Sequence, residues 1–108
     1  MKIEHDGNNL RVSDIPELNA VNASSFREEV RAAMPKTPES IEIDLSQTNF
    51  VDSCGLGALI SLHKATCNRN GTVRLVNPTA PVQQILELTR LYRVLEVVQR
   101  GDVPAGVS

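Results

Sequence analysis

The sequence predicts an α/β fold: a single small domain with a mixed, mostly parallel sheet of four to five strands and helices packed against it. Segments with the period of a strand alternate with segments with the period of a helix, which implies parallel strands joined by right-handed crossovers. The two clearest strands, Ile41–Leu45 and Thr72–Val76, are short and interleave apolar with polar residues, and turn residues bound the second on both sides. A length of 108 residues suits one core and leaves little room for a second. Residues 1–108 are therefore read as one domain, with Gly101–Ser108 as a flexible tail.

At the N-terminus, Lys2–His5 and Leu10–Val12 flank Asp6-Gly7-Asn8-Asn9, a turn sequence that joins them as an antiparallel hairpin and makes the sheet mixed. The first helix is expected over Ser25–Met34, where Phe26, Val30, Ala33 and Met34 recur at helical spacing. Ser25 with Glu28 fits a capping box, and Asn22 is a second cap candidate. In the next strand, alternation puts Ile41, Ile43 and Leu45 on one buried face. A second helix follows from Leu56 to Cys67, with Leu56, Leu59, Ile60 and His63 on one face and Leu62 beside it. Asn70-Gly71 opens the strand Thr72–Val76 and Asn77-Pro78 closes it. The third helix, Pro81–Leu91, turns Val82, Ile85, Leu86 and Thr89 inward; Pro81 suits its first turn, where no N–H is needed. Val94–Val98 is a short last strand.

Hydrophobic residues make up 41% of the chain and charged residues 22%, the ordinary balance of a globular protein. Aromatics reach only 3%, so Leu, Val, Ile and Ala must build the core. No apolar run approaches the roughly 20 residues of a membrane helix, and Met1–Asp6 contains no signal-peptide hydrophobic region. Direct membrane insertion is not expected. Cys54 and Cys67 are too few for a disulfide scaffold, and on one helix they would stand about 20 Å apart, beyond disulfide reach. A reduced, cytoplasmic protein follows. The net charge of −2 and the scattered Phe26, Phe50 and Tyr92 argue against nucleic-acid binding. No cofactor is expected either. Gly55-Leu56-Gly57 is followed by Ile60 where a dinucleotide loop needs a third glycine, and no Lys-Ser/Thr pair follows. Nothing supports a metal site built from Asp44, Asp52 and a histidine.

The informative stretch runs from Ile43 to Gly57. A buried strand ends at Leu45, and a short loop, pinned to the core by Phe50 and Val51, feeds a helix through Asp52-Ser53-Cys54-Gly55. Asp52 and Ser53 are left at the helix mouth, where free backbone N–H groups and the helix dipole favour a negative group. By itself this context makes Ser53 a helix cap and Asp52 a dipole-compensating residue. Gly55 and Gly57 remove side chains where the backbone turns tightly or is approached closely.

Asp44-Leu45-Ser46, then Phe50-Val51-Asp52-Ser53-Cys54-Gly55-Leu56-Gly57, resembles the signature of the STAS domain family: Asp-Leu-Ser at a strand end, then Asp-Ser-Ser/Thr-Gly-Leu-Gly. Glu17-Leu18-Asn19-Ala20-Val21-Asn22 falls where that family has Glu-Leu-Asp before its first helix. Leu75-Val76-Asn77-Pro78, with Val82 and Ile85-Leu86-Glu87-Leu88, resembles its later strand–helix unit. The resemblance extends from Leu10 to Val98. It implies a bacterial, non-enzymatic regulator of the anti-sigma factor antagonist type. In that type, the Ser after the Asp is phosphorylated by the partner, an anti-sigma factor that is itself a serine kinase of the histidine-kinase-like ATPase type. The implied phosphorylation site is Ser53, with Asp52, Cys54, Gly55, Leu56, Gly57 and Asn19 forming the partner-binding loop around it. A phosphatase would reset the switch, and Ser46 and Thr48 are the next acceptor candidates. This chain departs from the pattern in three places. Cys54 stands where Ser or Thr is common, Asn19 replaces Asp, and Gly101–Ser108 lacks the family's final helix.

Two other readings compete. The same fold can be a STAS subunit of another signalling, lipid-transport or transporter assembly. A small enzyme could instead use Ser53 or Cys54 covalently, but there is no Gly-x-Ser-x-Gly elbow. His63 lies roughly 15 Å further along the helix, on its apolar face, and the sequence does not place His5.

Overall fold

Alternation of apolar and polar residues along each strand decides where the helices lie. The computed structural model describes residues 1–99, so Gly101–Ser108 lies outside the described residues. The chain forms β1 (Lys2–Asp6), β2 (Asn9–Ser13), β3 (Glu17–Leu18), α1 (Ala23–Ala33), β4 (Ser40–Asp44), β5 (Phe50–Val51) and α2 (Ser53–Cys67). It continues with β6 (Thr72–Val76), α3 (Ala80–Leu88), a 3₁₀ turn (Leu91–Arg93) and β7 (Glu96–Val98). The main sheet has five strands in the order β1-β2-β4-β6-β7; β1 pairs antiparallel with β2, and the other pairs are parallel. Its three crossovers all step in the same direction, and right-handed crossovers that do so place their helices on one face. Leu10, Val12, Ile41, Ile43, Val73 and Leu75 point to that face and are buried. Leu18, Phe26, Val30, Leu59, Leu62, Val82, Leu86 and Leu95 close the core over them. The opposite face is polar. There the strand register lines up Glu4, Arg11, Glu42, Arg74 and Glu96 in one row of alternating sign. No helix among the described residues is long and apolar enough to cross a membrane.

The mixed, mostly parallel sheet and the succession of its main strands and helices along the chain follow the sequence expectation, and the departures have local causes. α1 starts at Ala23, so Ser25 lies in its first turn and no Ser25–Glu28 capping box forms. The chain enters through Asn22, whose side chain accepts from the Asn19 N–H (2.8 Å) and donates to the Glu17 carbonyl (2.8 Å). α2 starts at Ser53, and its buried residues are Gly55, Ala58, Leu59, Leu62 and Thr66. Leu56, Ile60 and His63 are only half-buried. This helix is apolar on more than one side, so packing against α1 and β6, rather than spacing, selects its inner face. α3 stops at Leu88 because Arg90 adopts a left-handed backbone (φ 59°) and starts the 3₁₀ turn. Ile85 is then half-buried, Thr89 is exposed, and β7 begins only at Glu96. Phe50 does not pin the loop: it is 50% exposed, and Val51 alone is buried.

Candidate functional site

The loop from β4 to α2 emerges at the C-terminal ends of the parallel strands, the end of an open α/β sheet where ligands collect. It is held down along its length. The Leu45 N–H donates to the Val76 carbonyl (2.9 Å), the Thr48 N–H to Leu45 (3.0 Å) and the Asn49 N–H to Pro16 (2.9 Å). Thr48 is fully buried; its hydroxyl donates to the Ile15 carbonyl, and its own carbonyl accepts from the Thr79 hydroxyl. Thr48 is therefore not an accessible acceptor, whereas Ser46 is exposed. The chain then pairs in parallel with β3 through β5, which sets Val51 opposite Leu18 in the core and Phe50 opposite Glu17 at the surface. These two-residue strands carry no period and were not expected.

Asp52 is the cap of α2. Its Oδ1 accepts from the Gly55 N–H (3.0 Å) and its Oδ2 from the Ala20 N–H (3.1 Å). Its own N–H donates to the Leu18 carbonyl (3.1 Å), and its carbonyl accepts from Leu56 (2.9 Å). One carboxylate thus satisfies a free N–H of the helix and stitches the β3–α1 loop to the helix mouth. That corrects the reading of Ser53 as a cap. Ser53 is the first residue of α2, is exposed, and its hydroxyl makes no hydrogen bond among the described residues.

The other expected site residues gather around it with different duties. Gly55 is buried against β3: a Cβ there would collide with the Leu18 carbonyl, so only glycine fits. A Cβ at Gly57 would meet nothing within 4 Å, and Gly57 is exposed. Leu56 packs partly on the core, and Cys54 is an exposed free thiol, as is Cys67. Asn19 is brought to the same mouth by the backbone. It precedes Ala20, whose N–H reaches Asp52, and its Oδ1 accepts from the Val21 N–H (2.9 Å). The histidines lie elsewhere. His5 Nε2 donates to the Ala33 carbonyl (2.9 Å) at the far end of α1, and His63 stands 3.7 Å from the Cys67 sulfur.

Sequence reasoning missed what α1 and the loop before it contribute. Ala20, Ala23 and Arg27 face Cys54, Gly57 and Ala58 across a shallow groove of about 340 Å³ that starts beside Ser53. The only trace in the sequence is a set of small residues on both segments, which spacing alone does not pair.

Comparison with known proteins agrees with this architecture. A Thermotoga maritima protein named as a candidate anti-sigma factor antagonist is 32% identical over 82 residues, covering 75% of this chain and 73% of its own. The crystal structure of a Thermotoga maritima protein, likewise named as a candidate anti-sigma factor antagonist, superposes with a TM-score of 0.82 over 97% of this chain and 90% of that one, at 24% identity. The anti-sigma factor antagonist SpoIIAA in its unphosphorylated form gives 0.75 at 17% identity, covering 96% and 90%. The phosphorylated form of SpoIIAA from Bacillus gives 0.67 at 16%, covering 96% and 94%. The murine anion transporter Slc26a9 shares the fold (TM-score 0.70, 24% identity), but this chain covers 83% of itself and only 15% of that protein. With the STAS domain model matching residues 1–101, the chain belongs to the STAS domain family.

Proposed function

We propose that this chain is a cytoplasmic anti-sigma factor antagonist, a protein-binding regulator switched off by phosphorylation of Ser53. The observation that carries the proposal is the division of labour at the mouth of α2. Asp52 supplies the cap, which leaves the Ser53 hydroxyl exposed, without a structural partner, and at a helix end that tolerates negative charge. Relatives named as anti-sigma factor antagonists, one of them solved in phosphorylated and unphosphorylated forms, support the same reading. Unphosphorylated, the protein holds an anti-sigma factor that is also its serine kinase, of the histidine-kinase-like ATPase type, and frees a sigma factor. Phosphorylated, it lets go until a phosphatase resets it.

The residues around Ser53 divide into support and surface. Asp52, Gly55 and Leu56 hold the mouth in shape, while Cys54, Gly57 and Asn19 lie where a partner meets it. A phosphoserine carries about −1.5 to −2 charges. The helix end returns about 0.3–1 kcal/mol of attraction for it, so the free domain accepts the phosphate. An interface does not, because leaving a charge unpaired and desolvated costs several kcal/mol, and each 1.4 kcal/mol is about tenfold in affinity. The test is incubation with the anti-sigma kinase of the same genome and ATP, followed by peptide mass spectrometry. One phosphate on Ser53 is expected, and none on Ser53→Ala. Undiminished incorporation into Ser53→Ala would move the acceptor to Ser46.

A further inference from the structure

We infer that the groove between the N-terminal halves of α1 and α2 docks an acidic segment of the partner, with Arg27 reading its carboxylate. This rests on the antagonist reading, which supplies the anti-sigma factor as the occupant. The first observation is an unanswered charge. Two arginines are half-buried among the described residues. Arg74 bonds Glu96 (2.9 Å), whereas Arg27 has neither a hydrogen bond nor an ion pair among the described residues. A guanidinium carries five donors and keeps its charge, and when part of its water is stripped away it favours a carboxylate strongly. Among the described residues, Arg27 is the only charged one of the groove wall, and Ser24, one turn before it on α1, offers an exposed hydroxyl to the same space. The groove therefore presents a cation and a hydroxyl donor among small uncharged residues, the complement of an acidic side chain flanked by compact apolar ones.

The second observation is Gly57. A glycine inside a helix is less stable than an alanine, and the fold has room for a side chain at this position. Unlike Gly55, then, it gives the domain no packing advantage. What its missing side chain does is leave the groove open to close approach. Val21, which follows Ala20 of the groove wall, is 91% exposed and leaves an apolar side chain open to solvent. The groove also explains why a phosphate nearby acts as a switch. Ser53 adjoins Cys54 in the groove wall, so its phosphate would repel an incoming carboxylate.

The experiment is isothermal titration of the full chain against the anti-sigma kinase encoded in the same genome, at low and high salt. Arg27→Gln should bind at least about tenfold more weakly and lose most of the salt dependence, with Arg27→Lys in between. Gly57→Leu should bind at least about tenfold more weakly while melting no lower than the wild type. Should Gly57→Leu melt lower, Arg27→Gln alone decides. Wild-type affinity in Arg27→Gln overturns the groove and leaves the antagonist reading standing. A weaker Arg27→Gln complex with an unchanged salt slope overturns the acidic occupant. Failure of the wild type to bind the kinase overturns both readings.

Discussion

Asp52 and Ser53 sit side by side at one helix mouth, and the fold uses only the first. Asp52 accepts two backbone N–H groups, Ala20 from the β3–α1 loop and Gly55 from α2, while Ser53 has no hydrogen-bonding duty among the described residues. Asp52→Ala should therefore lower stability by about 1–2 kcal/mol through the lost cap and the unsatisfied Ala20 N–H. For a domain of this size that means a fall of roughly 4–16 °C in melting temperature. Ser53→Ala should stay within about 0.5 kcal/mol of the wild type. Thermal denaturation of the two variants side by side checks this, and equal losses would show that Ser53 shares the cap. Gly55 and Gly57 form a similar pair: one is demanded by a carbonyl in contact, the other by nothing inside the domain.

At the scale of elements, the uncovered sheet face is held by charge instead of apolar packing. Glu42 on β4 stands between Arg11 on β2 and Arg74 on β6, and the row ends in Glu4 and Glu96 on the two edge strands. Arg11 also reaches Asp44 diagonally at 3.5 Å. Opposite charges on neighbouring strands contribute about 0.2–1 kcal/mol per pair, and like charges reverse the sign. Glu42→Lys places a cation between two cations and should cost about 1–2 kcal/mol at low ionic strength, less as salt screens it. Glu42→Gln should cost less. Urea titrations at two salt concentrations measure both. A Glu42→Lys loss that ignores salt would assign the residue a packing role instead.

For the whole molecule, the proposed switch at Ser53 and the core are kept apart. The helices cover one sheet face, and the Ser53 mouth projects from the C-terminal ends of the strands on a loop tied down by Thr48 and Thr79. A negative charge at position 53 has little to disturb inside the domain and acts outward. Ser53→Asp should therefore weaken the complex with the proposed anti-sigma kinase partner by at least about tenfold, with the melting temperature within about 2 °C of the wild type. Calorimetric affinity together with a thermal melt tests this. Unaltered affinity would refute charge as the signal, and a large fall in melting temperature would refute the separation of switch and core.

Strand positions, the order of elements and the Asp52-Ser53 helix mouth were legible in the sequence because each is encoded locally. Alternation marks β4, Asn70-Gly71 and Asn77-Pro78 punctuate β6, and the motif from Asp44 to Gly57 is contiguous. The remaining features depend on contacts between residues far apart in the chain. Either Asp52 or Ser53 could cap α2 by type; the Ala20 N–H, arriving from 32 residues earlier, favours Asp52. Spacing could not choose the inner face of α2, because that helix is apolar on several sides, nor could it find β3 and β5, whose two residues each are too few to show a period. Phe50 turned outward because its pairing with Glu17 committed Val51 to the core. Only the packing of α1 beside α2 set Arg27 across from Gly57, since a groove exists between elements and no single stretch of sequence contains it.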